Sequence, residues 1–110
     1  MRNKIELGIL NDYYGGLLTT HQREVVRLYC DCDMSLAEIS DELNISREAV
    51  RDVISRTEAK LSEFESKLGI IIKVRALTAR LEDCLRSSDD SSKEEILKEL
   101  STLLVDIKEI

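Results

Sequence analysis

The sequence predicts an all-α protein: a four-helix helix-turn-helix module whose recognition helix is elongated, followed by a C-terminal helical hairpin. The 110 residues contain no proline and only four glycines. Every long segment repeats its apolar residues every three or four positions, as helices do, and none alternates as a strand does. Between residues 34 and 60, two capped helical segments are separated by a turn of about three to four residues.

The prediction of a helix-turn-helix depends on five residues with local roles. Ser35 and Glu38 form a capping box at the start of the first helix of the motif. Asn44 tolerates the left-handed conformation that ends a helix in a tight turn, and Ser46 is a second N-cap. Ser40 supplies a small residue where the helices cross. A plain helical hairpin is the alternative, but it would not need the small residue, the asparagine and the second cap together. The expected apolar faces are Leu36, Ile39 and Leu43, then Val50, Val53, Ile54, Thr57 and Leu61.

Two helices are expected before the motif. The first covers residues 3–15 and ends at Gly15 and Gly16. The second begins with a capping box of Thr19 and Gln22 and continues to about residue 31. Their expected apolar sides are Ile5, Ile9, Leu10, Tyr13 and Tyr14 in the first, and Val25, Val26, Leu28 and Tyr29 in the second.

The recognition helix is expected to run to Leu68, because a seam of apolar residues of the coiled-coil type continues that far. Gly69 ends or kinks the helix, so the predicted domains are residues 1–69 and 70–110. In the second domain, two amphipathic segments flank the polar residues 87–92, and we expect an antiparallel hairpin. Their apolar residues are Ile70, Val74, Leu77, Leu81 and Cys84 or Leu85, then Ile96, Leu97, Leu100, Leu103, Leu104, Ile107 and Ile110.

The apolar stripes of the hairpin cover one another only in part. The surplus should be buried against the long helix or against a second copy of the protein, so pairing in trans and folding back in cis both stay open. We expect a homodimer. The residues predicted for its interface are Leu77, Leu81, Leu100, Leu103 and Ile107.

The charge of the chain disagrees with a DNA-binding motif. The net charge is −6 at pH 7. Between Thr20 and Lys60, six lysines and arginines stand against nine acidic residues. A domain that grips phosphates normally carries a basic face. The motif therefore predicts DNA binding, whereas the charge predicts only weak electrostatic attraction to the phosphates of DNA.

Several other classes of protein are disfavoured. Three cysteines without paired spacing, Cys30, Cys32 and Cys84, argue against a disulfide framework and for a reducing cytosol. No second Cys or His pair closes a metal shell around Cys30 and Cys32, and His21 has no nucleophile and carboxylate spaced around it. We therefore expect no metal, no cofactor and no catalytic residues. No segment is apolar enough for a membrane span or a signal peptide, so we expect no membrane insertion and a cytoplasmic location.

A spaced pattern of residues covers the three segments around the predicted motif. It comprises Leu18, Thr19, Gln22, Arg23, Glu24, Val25 and Val26, then Ser35, Leu36, Glu38, Ile39, Ser40 and Leu43, then Ile45, Ser46, Arg47, Glu48, Ala49 and Val50. This pattern looks like the promoter-35-element-reading region of bacterial sigma factors. The chain also resembles the YlxM family of small bacterial proteins, whose extended helix corresponds to Arg56-Thr57-Glu58 and the seam that follows. The first resemblance implies a DNA-facing helix that starts at Ser46. The second implies a regulatory role linked to the signal recognition particle pathway, inferred for that family from gene neighbourhood.

Two functions follow, and the sequence leaves both open. In the first, the protein binds double-stranded DNA through Ser46, Arg47, Glu48, Arg51, Arg56 and Lys60. In the alternative, it is an acidic adaptor that binds a protein component of the signal recognition particle and has little or no affinity for DNA. Glu48 and Asp52 dilute the recognition surface. The charged residues of this helix could also be no more than the solvated face of an exposed helix.

Overall fold

The computed structural model describes residues 3–110, and within this range it contains helices and turns but no strand, as the sequence predicts. The chain divides into two compact units, one ending at Leu68 and the other comprising Gly69–Ile110. The first unit contains α1 (Lys4–Tyr14), a 3-10 turn (Gly15–Leu17), α2 (Thr20–Cys30), α3 (Leu36–Leu43) and α4 (Arg47–Leu68). The second unit contains α5 (Ile70–Arg86) and α6 (Lys93–Lys108).

Local capping signals determine where the helices of the first unit begin. The capping boxes predicted at Thr19 with Gln22 and at Ser35 with Glu38 are both present. In each box, the side-chain oxygen of the cap residue accepts from the backbone N–H of the third helical residue. The side-chain oxygen of that third residue accepts in turn from the backbone N–H of the cap residue. Asn3 caps α1 in a similar way, because its side chain accepts from the backbone N–H of Glu6.

The turn of the helix-turn-helix has the predicted geometry. Asn44 adopts the left-handed conformation, with φ 55° and ψ 46°. The backbone N–H groups of Asn44 and Ile45 both donate to the carbonyl of Ser40. The Ser40 hydroxyl donates in turn to the carbonyl of Ile45, with an oxygen–oxygen distance of 2.5 Å. Ser40 therefore closes the turn as well as being small.

The core of the first unit lies where α1, α2, α3 and α4 pack against one another. The prediction for the inner face of α1 was partly wrong. Leu7 and Asn11 are buried, whereas Ile5 is 76% exposed and Tyr13 45% exposed. The inner face follows positions 7, 10, 11 and 14, and the polar Asn11 conceals this helical register in the sequence. The buried residues are Leu7, Leu10, Asn11, Tyr14, Val25, Val26, Leu28, Ile39, Val50, Ile54, Thr57 and Leu61.

Polar contacts fix α1 to distant parts of the same unit. The Lys4 ammonium lies 2.7 Å from a carboxylate oxygen of Asp33, in the loop before α3, and 4.4 Å from the centre of the Tyr29 ring. The Tyr14 hydroxyl donates to a carboxylate oxygen of Glu65 at 2.5 Å. These contacts attach α1 to the start of the motif and to the distal part of α4.

The second unit is the expected antiparallel hairpin, in which α5 and α6 pack together across the connection at residues 87–92. Ser92 caps α6 by accepting from the backbone N–H of Glu95. Cys84, rather than Leu85, lies on the inner face of α5, because Cys84 is buried and Leu85 is 67% exposed. Within residues 3–110, no helix has both the length and the apolar character needed to cross a membrane.

Candidate nucleic-acid interface

The N-terminus of α4 presents the residues that the sequence predicts for DNA contact. Ser46 caps the helix, because its hydroxyl oxygen accepts from the backbone N–H of Ala49 at 3.0 Å. Val50 points into the core and is fully buried. Arg47, Glu48 and Arg51 are consequently on the exposed side. Arg47 and Arg51 are four residues apart, so their guanidinium groups start from neighbouring positions on one face of the helix.

The exposed side chains of Arg47 and Arg51 are the second feature of this helix end. In the part of the chain that the structure describes, neither residue forms an ion pair or a side-chain hydrogen bond. Glu48, between them, is exposed as well. An arginine without an intramolecular partner keeps all five N–H donors available for a planar, bidentate acceptor such as a phosphate or a guanine edge.

The two basic residues farther along α4 differ from this pair. Arg56 is held by Asp52 one turn earlier, with Nε 3.0 Å from a carboxylate oxygen. Lys60 is exposed, but at 1.5 Å per residue it lies about 20 Å along the helix from Arg47. The structure therefore puts all six predicted residues on one helix and its cap, and brings only Ser46, Arg47, Glu48 and Arg51 together at one end.

Ion pairs occupy several other charged groups of this unit. The Arg27 guanidinium holds Glu24 in a two-point contact at 2.6 and 2.9 Å and also donates to the sulfur of Cys32 at 3.5 Å. This hydrogen bonding lowers the pKa of Glu24 and raises that of Arg27. Arg23, one turn before Arg27, is exposed and forms no ion pair among residues 3–110. It is a further candidate phosphate contact that the motif alone did not single out.

Within residues 3–110, the cysteines and the histidine belong to no cluster of candidate metal ligands. Burial raises the pKa of the Cys30 thiol to about 11, with the nearby Asp31 carboxylate as a second cause. Such a thiol is protonated at neutral pH and is a poor nucleophile. His21 is exposed on the first turn of α2. Among the described residues, no group of three or more His, Cys, Asp or Glu side chains could hold a metal ion.

Comparison with known proteins agrees with the observed motif. The chain matches, over residues 1–103, a family described as "UPF0122: Putative helix-turn-helix protein, YlxM / p13 like". A UPF0122 protein of Clostridium novyi is 36% identical over 108 residues, which is 98% of this chain and 94% of that protein. One from Symbiobacterium thermophilum is 38% identical over 103 residues, or 91% of this chain and 96% of that protein.

A third relative matches over a shorter region. The UPF0122 protein of Desulforamulus reducens is 42% identical over 73 residues, which is 66% of this chain but only 62% of that protein. The match to the family covers nearly the whole chain, and the turn, the caps and α4 have the geometry of a helix-turn-helix. The chain therefore belongs to the UPF0122 family of YlxM-like helix-turn-helix proteins.

Proposed function

We propose that this protein is a regulatory protein that binds double-stranded DNA through the N-terminal turns of α4. The observation that carries the proposal is the pair Arg47 and Arg51, exposed one turn apart at a capped helix N-terminus and forming no ion pair within residues 3–110. Helix-turn-helix proteins place this end of the second helix in the major groove. The resemblance to the promoter-35-element-reading region of sigma factors supports the same orientation.

Each residue has a role that follows from its chemistry. The Ser46 oxygen accepts from Ala49, so its hydroxyl proton remains available to a phosphate at the helix N-terminus. Arg47 and Arg51 would contact guanine edges or phosphates, and Glu48 would accept from a cytosine amino group. Arg56 and Lys60 would contact only the sugar–phosphate backbone. If DNA is the ligand, the protein acts in the cytoplasm, where bacterial DNA is found.

The salt dependence of binding tests this proposal. A duplex library is titrated with protein at 50 and 200 mM salt, and binding is followed by fluorescence anisotropy. With two to four phosphate contacts, log Kd should change with log salt with a slope of about 2 to 4. The double variant Arg47→Ala, Arg51→Ala should lose most of the binding and lower the slope by up to about 2.

A matched control removes two positive charges elsewhere. Arg86→Ala with Lys98→Ala has the same net charge as the α4 double variant, but both substitutions lie in the hairpin. It should bind DNA nearly as well as the native protein. Equal loss of binding in the two double variants would mean that only net charge matters. No binding by the native protein at 50 mM salt would reject the DNA-binding function.

The second candidate function is an acidic adaptor in the signal recognition particle pathway. The observation that favours it is the charge of the helix-turn-helix unit, where eight lysines and arginines stand against thirteen acidic residues between positions 3 and 68. An acidic surface suits a basic protein partner. A stable complex with the purified protein component of the particle, together with no binding to DNA, would support this function over the first.

We also propose that the protein works as a homodimer through the hairpin, which would present two recognition helices. Of the residues predicted for the interface, Leu81, Leu100 and Ile107 are each at least 40% exposed and Leu77 is half-buried. Leu103 is only 3% exposed, so it contributes mainly to the packing of α5 against α6.

A further inference from the structure

The two sides of the hairpin differ in character. On one side, the Arg80 guanidinium crosses from α5 to α6 and contacts carboxylate oxygens of Asp106 at 2.5 Å and Glu99 at 3.5 Å. The other side is an open apolar groove with a volume of about 450 Å³. This groove is lined by Val74, Leu77, Thr78 and Leu81 of α5 and by Leu100, Leu103, Leu104, Ile107 and Ile110 of α6.

The apolar surface on the open side is large enough for a stable interface. Seven leucine and isoleucine side chains lie in the groove or continue its stripe, and each is 40–67% exposed. At roughly 180 Å² for a fully accessible side chain, they expose on the order of 600 Å² per hairpin. A symmetric pair of hairpins could bury about 1,200 Å² of this surface, which is at the lower end of the buried area of specific interfaces. These residues are Leu81, Leu85, Leu97, Leu100, Leu104, Ile107 and Ile110.

Charged residues flank the groove in an uneven pattern. Arg75 and Glu82 lie three residues before and four residues after Thr78, so they flank the groove along α5. Lys108 and Glu94 belong to the corresponding edge of α6, beside Leu104 and Leu97. Because the helices are antiparallel, Arg75 and Lys108 both lie at the end of the hairpin away from residues 87–92, which we call the open end. Glu82 and Glu94 both lie toward the connection, which we call the loop end. In the part of the chain that the structure describes, none of the four charged residues forms an ion pair.

We propose that two hairpins pack face to face through this groove in an antiparallel four-helix bundle, with the open end of each over the loop end of the other. Two symmetric arrangements would bury the groove. In the parallel one, Arg75 would meet the partner's Lys108, and the acids would meet each other, which is repulsive. In the antiparallel one, α5 lies on the partner's α5 and Arg75 meets the partner's Glu82, while Lys108 is directed toward the partner's Glu94. These four charges favour the antiparallel arrangement, with the two-fold axis near Thr78.

This inference specifies the geometry of the homodimer proposed above, so it depends on the existence of that dimer. The first experiment therefore measures the mass of the full chain by sedimentation equilibrium between 1 and 200 µM. A dimer is expected. Leu104→Asp should give a monomer, whereas Val105→Asp should remain a dimer, because Val105 is equally exposed (55% against 53%) but lies on the outer side of α6. A folded native protein that is monomeric at 200 µM would overturn the inference and leave the groove to another protein.

Charge exchange and a distance test the orientation. Arg75→Glu should weaken the dimer about tenfold, and adding Glu82→Arg should restore it, because each salt bridge occurs twice in the pair. In a variant with its three cysteines replaced, a nitroxide at position 88 should lie about 30 Å from its symmetry mate, from 1.5 Å per residue on either side of the axis. A dimer with a separation of about 15 Å would show the parallel arrangement and refute the proposed one. None of these measurements involves DNA, so failure of the DNA-binding function would leave their outcome unchanged.

Discussion

The left-handed residue in the turn between α3 and α4 allows a sharp test of the fold. Asn44 is exposed and has φ 55°, so Asn44→Val changes no buried contact and acts through the backbone. A β-branched residue is a genuine outlier in this region, and an L-residue there costs roughly 1–2 kcal/mol. Asparagine tolerates the conformation better than most residues. We therefore expect Asn44→Val to lower the free energy of unfolding of the first unit by about 1–2 kcal/mol.

The glycine variant separates conformation from loss of the side chain. Asn44→Gly relieves the left-handed backbone but increases the entropy of the unfolded chain, and the two effects offset each other to within about 0.5 kcal/mol. Urea unfolding followed by tyrosine fluorescence is a suitable measurement, because all three tyrosines, Tyr13, Tyr14 and Tyr29, lie in the first unit. Equal stability of the valine and glycine variants would refute the assigned role of the left-handed turn.

Four further substitutions test the packing and the electrostatics of the first unit. A methyl group on Gly15 would lie 2.9 Å from the Asn11 side-chain oxygen, whereas one on Gly16 would meet nothing within 4 Å. We therefore expect Gly15→Ala to be less stable by about 1 kcal/mol in thermal unfolding. Gly16→Ala should be unchanged or slightly more stable. Leu61→Ala empties a fully buried position and should lower the free energy of unfolding by about 2–5 kcal/mol in urea. Hydrogen bonding from Lys4 lowers the pKa of Asp33, so its contribution to stability is present above the unfolded value near 4 and is lost as pH falls through the folded pKa. The difference in urea midpoint between native protein and Asp33→Asn should therefore shrink as pH falls below the unfolded value near 4 and vanish once pH is below the folded pKa. A difference that persists throughout the acid range would contradict the electrostatic origin.

The features that could be predicted from the sequence are those that a few adjacent residues determine. The capping boxes of α2 and α3 and the left-handed Asn44 all satisfy backbone groups within four or five residues, so their signals are local. The polar connection of the hairpin is equally local, and α5 and α6 end and begin on either side of it.

The features that could not be predicted depend on residues far apart in the chain. Tyr14 and Glu65 are 51 residues apart, and Lys4 and Asp33 are 29 apart. No spacing rule connects such pairs, because only the packed fold brings them together. The inner face of α1 was misassigned for a related reason: Asn11 is polar but buried, and helical periodicity counts only apolar residues. The candidate site belongs with the local features, since the position of Arg47 follows from the cap at Ser46. The pairing of Arg56 with Asp52 also follows a local rule, because residues four apart on a helix are neighbours.

The acidity of the helix-turn-helix unit and its candidate DNA-binding surface are compatible when the ion pairs are considered. Lys4, Arg27, Arg56 and Lys67 are each held by an acidic side chain within the unit. Such pairs at the surface add little to stability. Within each pair, however, the two opposite charges largely cancel in the electrostatic field that an approaching ligand experiences. In the described part of the chain, Arg47 and Arg51 form no such pair, and they lie at the helix end proposed to contact DNA. Net charge therefore bears on the strength and salt dependence of binding, and the distribution of unpaired charge decides which surface binds.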